Sequence, residues 1–246
     1  MDNDKVNDPE LNSSFGENDP WFDHPLNIGK MYPNVDSIKK FDELLKANPR
    51  EEELQVFLEK YPDMLFGLVG MGDESDLAFL TKPSIGSRMR ADFGLLSCGQ
   101  GGCTIHLVEI EPVNVNLFDK KGGDSMHLKK PIIQVTDWMQ WIQKNRDTFI
   151  RDTIDYAKAL PMFPNKSKNN SFKLKESGHI HQLWEGFGGY DSPLITYTVI
   201  IGDLNDMSKE EIKRLTLNNS TDARFYKIYT YRQIARKANK RILRYP

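Results

Sequence analysis

The stretch that decides the fold is Arg90-Ala-Asp-Phe-Gly-Leu-Leu96, followed by Cys103-Thr-Ile-His-Leu-Val-Glu-Ile-Glu111. Both segments are rich in hydrophobic residues, and the glycine-rich Gly99-Gln-Gly-Gly102 separates them. Two such segments around a glycine-rich turn are typical of a β-hairpin. Because alternate residues of a strand share a face, Glu109 and Glu111 are expected on the same side of the sheet.

Three acidic side chains are expected to meet on this hairpin. Asp92 lies in the first predicted strand, and the side of the second strand that carries Glu109 and Glu111 is otherwise apolar. Acids on a core-facing side need a partner, and a divalent cation suits them. Oxygen ligands favour Mg²⁺ or Mn²⁺ over Zn²⁺. Spacing alone leaves a second interpretation open, in which the acids are solvated or form salt bridges with Arg88 and Arg90.

Outward from the hairpin, the sequence predicts one α/β domain over residues 35–246. Residues 1–34 are rich in Asn, Asp, Ser and Pro, which predicts a disordered acidic arm. Residues from about 161 to 193 are rich in Lys, Asn, Ser, Gly and Pro, which predicts a polar loop insertion with little regular structure. The segments between them alternate between helix and strand patterns, so we expect a mixed β-sheet flanked by helices.

The positions of the other elements follow from periodicity and from helix boundary signals. A long helix is predicted to begin near Lys130, because Pro131 suits a first helical turn, and to run, whole or broken, to about Tyr156. The remaining helices are predicted near residues 36–45, 51–61, 209–217 and 232–243, and the remaining strands near 76–81, 194–202 and 225–231.

Composition excludes several classes of protein. With 39% hydrophobic residues, 28% charged residues and a net charge of −2, the 246-residue chain is typical of a soluble globular protein. Two cysteines are too few for a disulfide framework, which indicates reduced thiols and a cytoplasmic location. We expect no membrane association, because no hydrophobic run is long enough to span a bilayer and the first residues lack a signal-peptide pattern.

The basic charges concentrate near the end of the chain. Residues 223–246 contain eight Lys or Arg residues and no acid. Within the final predicted helix, Lys237, Lys240, Arg241 and Arg244 recur at three- and four-residue spacing and therefore share a face. Such a stripe predicts contact with nucleic-acid phosphates, and a merely solvated helix face is the alternative.

Several segments in this order resemble the Shedu anti-phage nuclease family, which falls within the PD-(D/E)XK nuclease superfamily. The resemblance covers roughly residues 35 to 246. Its segments are Glu53–Leu65 for an opening helix, Ala91-Asp-Phe93 and Val108-Glu-Ile-Glu-Pro112 for the metal-binding strands, Leu117-Phe-Asp-Lys120 and Gln134-Val-Thr-Asp-Trp138 for the following loop and helix, and Tyr197–Gly202 and Ile228–Tyr231 for the closing strands.

The resemblance implies a restriction-endonuclease-like PD-(D/E)XK core and a metal-dependent DNA endonuclease acting in bacterial anti-phage defence. By this analogy Asp92 and Glu109 bind Mg²⁺ or Mn²⁺, with the Ile110 carbonyl as a further ligand. Glu53, on the opening helix, would complete the metal shell or hold a metal-bound water, although Glu52 competes for that role. The helix behind the sheet would bring Gln134 to the site.

The sequence departs from the superfamily pattern at one position. The pattern has a lysine two residues after the second acid, where this chain has Glu111. A glutamate cannot stabilise negative charge on a phosphate, but it can act as a base or bind a second ion. The positive charge could instead come from Lys120, Lys121, Lys129 or Lys130, of which Lys120 and Lys121 are also candidate contacts to nucleic acid.

Double-stranded DNA is the expected substrate, hydrolysed by in-line attack of water without a covalent intermediate. Two alternatives remain at this point. The first is a nuclease-like module that binds nucleic acid or regulates a partner and has lost catalysis, and the second is an RNase on the same core. We also expect a homo-oligomer, whose size the sequence does not determine.

Overall fold

The structure is a computed structural model that describes residues 35–70, 76–99, 102–161, 171–175, 193–220 and 226–244. The predicted acidic arm at 1–34 and most of the predicted polar loop at 161–193 lie outside these residues.

A mixed sheet of six strands forms the centre of the fold. Eight strands are described in all: β1 (Asp76–Thr81), β2 (Ser84–Ile85), β3 (Met89–Arg90), β4 (Phe93–Gly99), β5 (Gly102–Ile110), β6 (Phe172–Lys175), β7 (Leu194–Ile200) and β8 (Tyr226–Tyr229). The central sheet has the order β6-β1-β4-β5-β7-β8, while β2 and β3 form a separate small hairpin. The pairs from β6 to β5 are antiparallel, and the pairs β5–β7 and β7–β8 are parallel.

Helices cover both faces of this sheet, as the sequence predicts for an α/β fold with a mixed sheet. They are α1 (Val35–Lys46), α2 (Glu51–Lys60), α3 (Asp63–Val69), α4 (Met126–Lys144), α5 (Arg146–Lys158), α6 (Lys209–Ser220) and α7 (Tyr231–Arg244). The arrangement is consistent with a restriction-endonuclease-like core. Among the described residues, no helix combines the length and the hydrophobicity that crossing a bilayer requires.

The alternation along β5 divides the core into two layers. Val108 and Ile110 pack into a cluster with α1, α2, α3 and α7, whereas Ile105 and Leu107 pack into a second cluster with α4, α5 and α6. Successive strand residues point to opposite faces, so Glu109 shares the face of Leu107 and is directed toward the α4 side. The strand pattern thus determines which helix can reach the acid.

The predicted hairpin is present, but its acidic ends differ from the prediction. The strand β4 begins at Phe93, so Asp92 lies immediately before the strand rather than inside it. Its backbone nitrogen still donates a hydrogen bond of 3.1 Å to the carbonyl oxygen of Val108, which holds Asp92 beside β5. Glu111 lies one residue beyond the end of β5 and continues its pairing with β7 by donating a 2.8 Å hydrogen bond to the carbonyl oxygen of Ile200.

The long helix begins earlier than predicted. The Ser125 hydroxyl accepts a hydrogen bond of 3.2 Å from the backbone nitrogen of Leu128, so α4 starts at Met126 and not near Lys130. Pro131 consequently lies inside the helix. The prediction was wrong because the proline signal was given more weight than the serine cap. A break does occur, at Asn145 between α4 and α5.

Part of the segment predicted as a polar loop forms a sheet edge. The strand β6 pairs antiparallel with β1, and the Ser171 hydroxyl before it accepts a 2.8 Å hydrogen bond from the backbone nitrogen of Thr81. The side chain of Phe172 is fully buried against the aromatic ring of Phe79. The strand β6 therefore forms the edge of the sheet opposite to β8 and adds to the core there.

Candidate active site

Asp92 is held in a fixed position between two backbone segments. One carboxylate oxygen, Oδ2, accepts a 2.8 Å hydrogen bond from the backbone nitrogen of Ile110. The side chain is buried, with only 8% of the residue exposed. Because both its backbone and its carboxylate are anchored to β5, Asp92 lies beside the end of the strand that carries Glu109.

Glu109 is a buried acid with one oxygen left without a donor. Its Oε1 accepts a 2.5 Å hydrogen bond from the side-chain amide of Gln134 on α4. Its Oε2 is buried, and no donor among the described residues reaches it. A buried polar atom without a partner is costly, and such atoms in native folds indicate a ligand or a catalytic role.

The ionisation of Glu109 is strongly perturbed. Burial, followed by the negative charge of Asp92, raises the pKa of Glu109 to about 9. The proximity of Asp92 and the charge of Glu111 act in the same direction, while the amide of Gln134 opposes them. Two neighbouring carboxylates disfavour each other's ionisation, so Asp92 and Glu109 titrate as a pair that shares a site.

Glu111 lies near this pair and is matched with a lysine. Its carboxylate oxygen Oε1 lies 3.3 Å from the ammonium group of Lys130, and the charge of Glu111 raises the pKa of that lysine. The backbone carbonyl of Glu111 accepts a 2.7 Å hydrogen bond from the hydroxyl of the buried Tyr231. Of the four lysines considered from the sequence, Lys130 is the one with a described contact to these acids.

A second lysine, which sequence reasoning missed, contacts the site directly. The ammonium group of Lys82 forms a salt bridge with Oδ1 of Asp92. Lys82 has a φ of 50°, in the left-handed region that side chains rarely adopt, and its backbone nitrogen donates a 2.9 Å hydrogen bond to the carbonyl oxygen of Asp92. No spacing rule connects the two residues, because the backbone conformation of a loop brings them together.

The acidic turn of α2 supplies a different glutamate from the predicted one. The carboxylate of Glu53 accepts a 2.9 Å hydrogen bond from the backbone nitrogen of Arg50, and its side chain is half exposed, so it caps the helix instead of joining the acids. Partial burial, then the charges of Glu111 and Asp92, raise the pKa of Glu51. Glu51 is therefore the α2 residue near the cluster. Residues two apart on a helix point in nearly opposite directions, which explains the difference.

The predicted contacts to nucleic acid are spread over two regions. Lys120 and Lys121 are exposed in the loop that precedes α4. The carboxylate of Asp119 orders this loop by accepting hydrogen bonds of 2.9 Å and 2.7 Å from the backbone nitrogens of Lys121 and Gly123. Both lysines are therefore presented to solvent on the segment that leads from Glu111 to α4.

Lys237 faces the body of the protein rather than solvent. Its ammonium group donates hydrogen bonds of 2.9 Å to the carbonyl oxygen of Leu68 and 3.2 Å to the hydroxyl of Tyr229, and it lies 4.3 Å from the centre of the tyrosine ring. These contacts join α7 to α3 and β8. The other three predicted phosphate contacts lie in α7, and their side chains fall outside the described part of the chain: Lys240, Arg241 and Arg244.

The donor set of the site suits a hard divalent cation. Mg²⁺ is usually bound through one or two carboxylates and keeps several waters, which matches Asp92 and Glu109 with a backbone carbonyl such as that of Ile110. The buried Oε2 of Glu109 is an oxygen that such an ion would satisfy. Within the described ranges, no group of three His, Cys, Asp or Glu side chains is arranged to hold a metal ion. Two carboxylates therefore form the candidate centre.

The comparisons with known proteins identify a family for this chain. Residues 48–234 match the model of the family described as Shedu protein SduA, C-terminal. No curated protein matches the chain. The matched range is well over half of the chain and includes Asp92, Glu109, Gln134 and Lys82.

Proposed function

This chain belongs to the Shedu protein SduA C-terminal family, and we propose that it is a metal-dependent DNA endonuclease of the PD-(D/E)XK type. Membership of the family implies a role in anti-phage defence. The observation that carries the proposal is the buried pair of Asp92 and Glu109, in which one oxygen of Glu109 has no donor within the described part of the chain and the pKa of Glu109 is raised to about 9. Such a pair has the chemistry of a cation site.

Each residue of the pair has a distinct part in this proposal. Asp92 and Glu109 would hold Mg²⁺ or Mn²⁺ with the carbonyl of Ile110, and the amide of Gln134 orients Glu109 through its hydrogen bond to Oε1. The bound cation would neutralise charge on the scissile phosphate and lower the pKa of an attacking water. Substrate phosphates and waters would complete the coordination, as is usual for Mg²⁺.

Lys82 supplies the positive charge that the superfamily pattern expects at position 111. In the structure its ammonium group balances Asp92, and nearly half of its side chain is exposed, so it can also reach a phosphate at the mouth of the site. Its left-handed backbone conformation is unfavourable for a lysine, and strain of this kind is concentrated at functional sites. This supports a role in binding substrate rather than in folding.

Glu111 is the candidate base in this proposal. Glu111 is buried, and it lies close enough to Glu109 for its charge to raise the pKa of that residue. Lys130 provides a counter-charge. A water attacking the phosphate in line would transfer its proton to this carboxylate, while the leaving oxygen departs on the opposite side of the phosphorus. No covalent intermediate is required. Glu51 adds negative charge nearby and contributes to holding cations rather than the phosphate.

The proposal is tested by plasmid nicking in Mg²⁺ or Mn²⁺ with wild type, Asp92→Ala and Glu109→Ala. Asp137→Ala, which removes an exposed acid from α4, is the matched control. We expect cleavage that requires the metal, that both site variants lose and that the control retains. If no metal supports cleavage of DNA while salt-sensitive DNA binding persists, the chain is a nuclease-like binding module. If RNA alone is cut, it is an RNase on the same core.

A further inference from the structure

A pocket lies next to Lys82, the lysine that forms a salt bridge with Asp92. Its volume is about 670 Å³, within the range of sites that bind small organic groups. Its walls come from α2, the end of β1, the β2–β3 hairpin, α4 and α5. Lys82 lines the pocket and also forms the salt bridge with Asp92, so a single residue joins the pocket to the candidate metal site.

The β2–β3 hairpin holds the indole ring of Trp141 in place as one wall of this pocket. Gly86 has a φ of 66°, and a Cβ atom added to it would lie 2.7 Å from the ring of Trp141. The close approach requires glycine at this position and leaves no room for the indole to turn toward the hairpin. Trp141 is only partly buried, whereas its neighbour on the same helix, Trp138, is fully buried in the core. An aromatic surface therefore remains beside the cavity.

The polar groups of the pocket carry both signs of charge. Arg90, at the end of β3, is exposed and has no ion-pair partner among the described residues. Glu59 of α2 and Asp152 of α5 also line the cavity. The pocket is thus lined by two basic and two acidic side chains, so as a whole it does not select a polyanion such as a chain of phosphates.

We propose that this pocket binds an unpaired nucleobase of the substrate strand, next to the phosphate that is cleaved. A base offers a planar aromatic face for Trp141 or for the guanidinium group of Arg90. Its edge offers acceptors for Arg90 and exocyclic amines for Glu59 or Asp152. A lipid chain would offer these polar groups no hydrogen bond, and a phosphate would meet the two carboxylates, so a heterocycle with both donors and acceptors is the better match.

The position of the pocket next to the candidate metal site predicts a preference for DNA that has an unpaired nucleotide. A base inside a duplex is stacked and paired, so it must leave the helix before it can enter a pocket in the protein. The nuclease would consequently favour a site where a nucleotide is already unpaired or is easily extruded. This inference rests on the proposed function for the identity of the strand, but the binding event itself needs neither the metal nor cleavage.

The test measures the base-dependent part of DNA binding without catalysis. Fluorescence anisotropy in EDTA would compare a short labelled single-stranded oligodeoxynucleotide with an oligomer of the same length that has an abasic sugar at every position. We expect wild type to bind the base-containing oligomer about tenfold more tightly or better. Arg90→Ala should bring the two affinities within about twofold of each other, and Trp141→Phe should reduce the ratio partially.

The control is Arg88→Ala, which removes the same charge from the same hairpin at an exposed residue that does not line the pocket. It should lower both affinities by a similar factor and leave their ratio unchanged. Equal affinity of wild type for the two oligomers would overturn the proposal, and so would an equal loss of the ratio in Arg88→Ala and Arg90→Ala. Absence of cleavage together with a retained ratio would reject the nuclease and leave the pocket assignment intact.

Discussion

Two buried polar side chains on the same strand illustrate different uses of burial. His106 and Glu109 are three residues apart on β5 and therefore lie on opposite faces of the sheet. Both nitrogens of His106 have hydroxyl partners, Thr196 and Thr198 of β7. Among the described residues, Glu109 has a hydrogen-bond partner for one oxygen only. A completely satisfied group adds to the stability of the fold, whereas the incomplete one has capacity for a ligand.

The perturbed ionisation of the two residues follows the same contrast. Burial and the charges of Lys227 and Lys237 lower the pKa of His106 to about 3, so the ring is neutral and holds its hydrogen bonds at all ordinary pH values. Burial and a like charge raise the pKa of Glu109 to about 9. The first shift keeps a structural group uncharged. The second gives an acid that becomes fully ionised near neutral pH only with an added cation, since a cation favours the charged form.

The largest expected effect is the loss of cleavage in Glu109→Gln. This change keeps the shape and one hydrogen-bond acceptor but removes the negative charge, so the rate of metal-dependent plasmid cleavage should fall about 100-fold or more. The melting temperature should not fall, because the glutamine ends the cost of a buried acid. If Glu109→Gln unfolds more easily than wild type and still cleaves DNA, Glu109 is a structural residue and not a cation ligand.

His106→Ala should have the complementary outcome. It leaves the hydroxyls of Thr196 and Thr198 without a partner, so the free energy of unfolding should fall by about 2–3 kcal/mol in a urea titration. The affinity for Mn²⁺ should stay within about twofold of wild type. His127→Ala, which removes an exposed histidine of α4, should change neither quantity and controls for loss of the ring as such.

The next effect separates the two lysines beside the acids. Lys82→Met should lower the cleavage rate by about 10-fold or more at saturating metal, because its ammonium group is placed to meet the phosphate. Lys130→Met should have a smaller effect, since that side chain is mostly exposed and pairs with Glu111 at 3.3 Å. Single-turnover rates with both variants measure the difference. A larger loss for Lys130→Met would assign the substrate contact to α4.

The last effect is a gradual dependence of metal affinity on pH. The carboxyl of Glu109 retains a proton below its pKa of about 9, and a bound cation must displace it. The affinity for Mn²⁺ should therefore rise by up to about tenfold per pH unit from pH 7 to 9 and become constant above that range. Calorimetry in two buffers with different ionisation enthalpies should detect release of the proton.

The raised pKa of Glu109 also affects the stability of the fold, which should fall as the pH increases. A carboxyl whose pKa is raised by folding stabilises the folded state fully below pH 4.5, and this contribution is lost as the pH rises toward 9. Glu109→Gln should accordingly become more stable than wild type as the pH increases from 5 to 9. Urea titrations of both proteins measure the difference between their free energies of unfolding. If this difference is the same at every pH, Glu109 is not a buried, protonated acid.

The sequence predicted those parts of the fold that depend on local pattern. The strands β1 and β7 are rich in hydrophobic residues, and their predicted starts at Asp76 and Leu194 agree with the structure. The acid pair was also predictable, because Asp92 and Glu109 stand at the ends of two apolar strands. The contact of Gln134 with Glu109 followed the resemblance to a known family rather than any pattern in the residues.

The features that the sequence did not predict depend on where side chains point rather than on residue type. Glu51 and Glu53 belong to one acidic turn, and only the phase of α2 against the sheet decides which of them approaches Asp92. Lys82 reaches the site through a left-handed backbone conformation that no periodicity signals. The stripe of bases on the last helix had a regular spacing, yet Lys237 turns toward Leu68 because the hydrophobic stem of a lysine can cross a buried surface.

The most direct test of the account is Mn²⁺ binding, measured by electron paramagnetic resonance at pH 8, for wild type, Glu109→Gln and His106→Ala. We expect wild type and His106→Ala to bind Mn²⁺ with the same affinity, and Glu109→Gln to lose this binding. Equal binding by all three proteins, or no binding by wild type, would contradict the claim that the unsatisfied acid on β5 is a cation site.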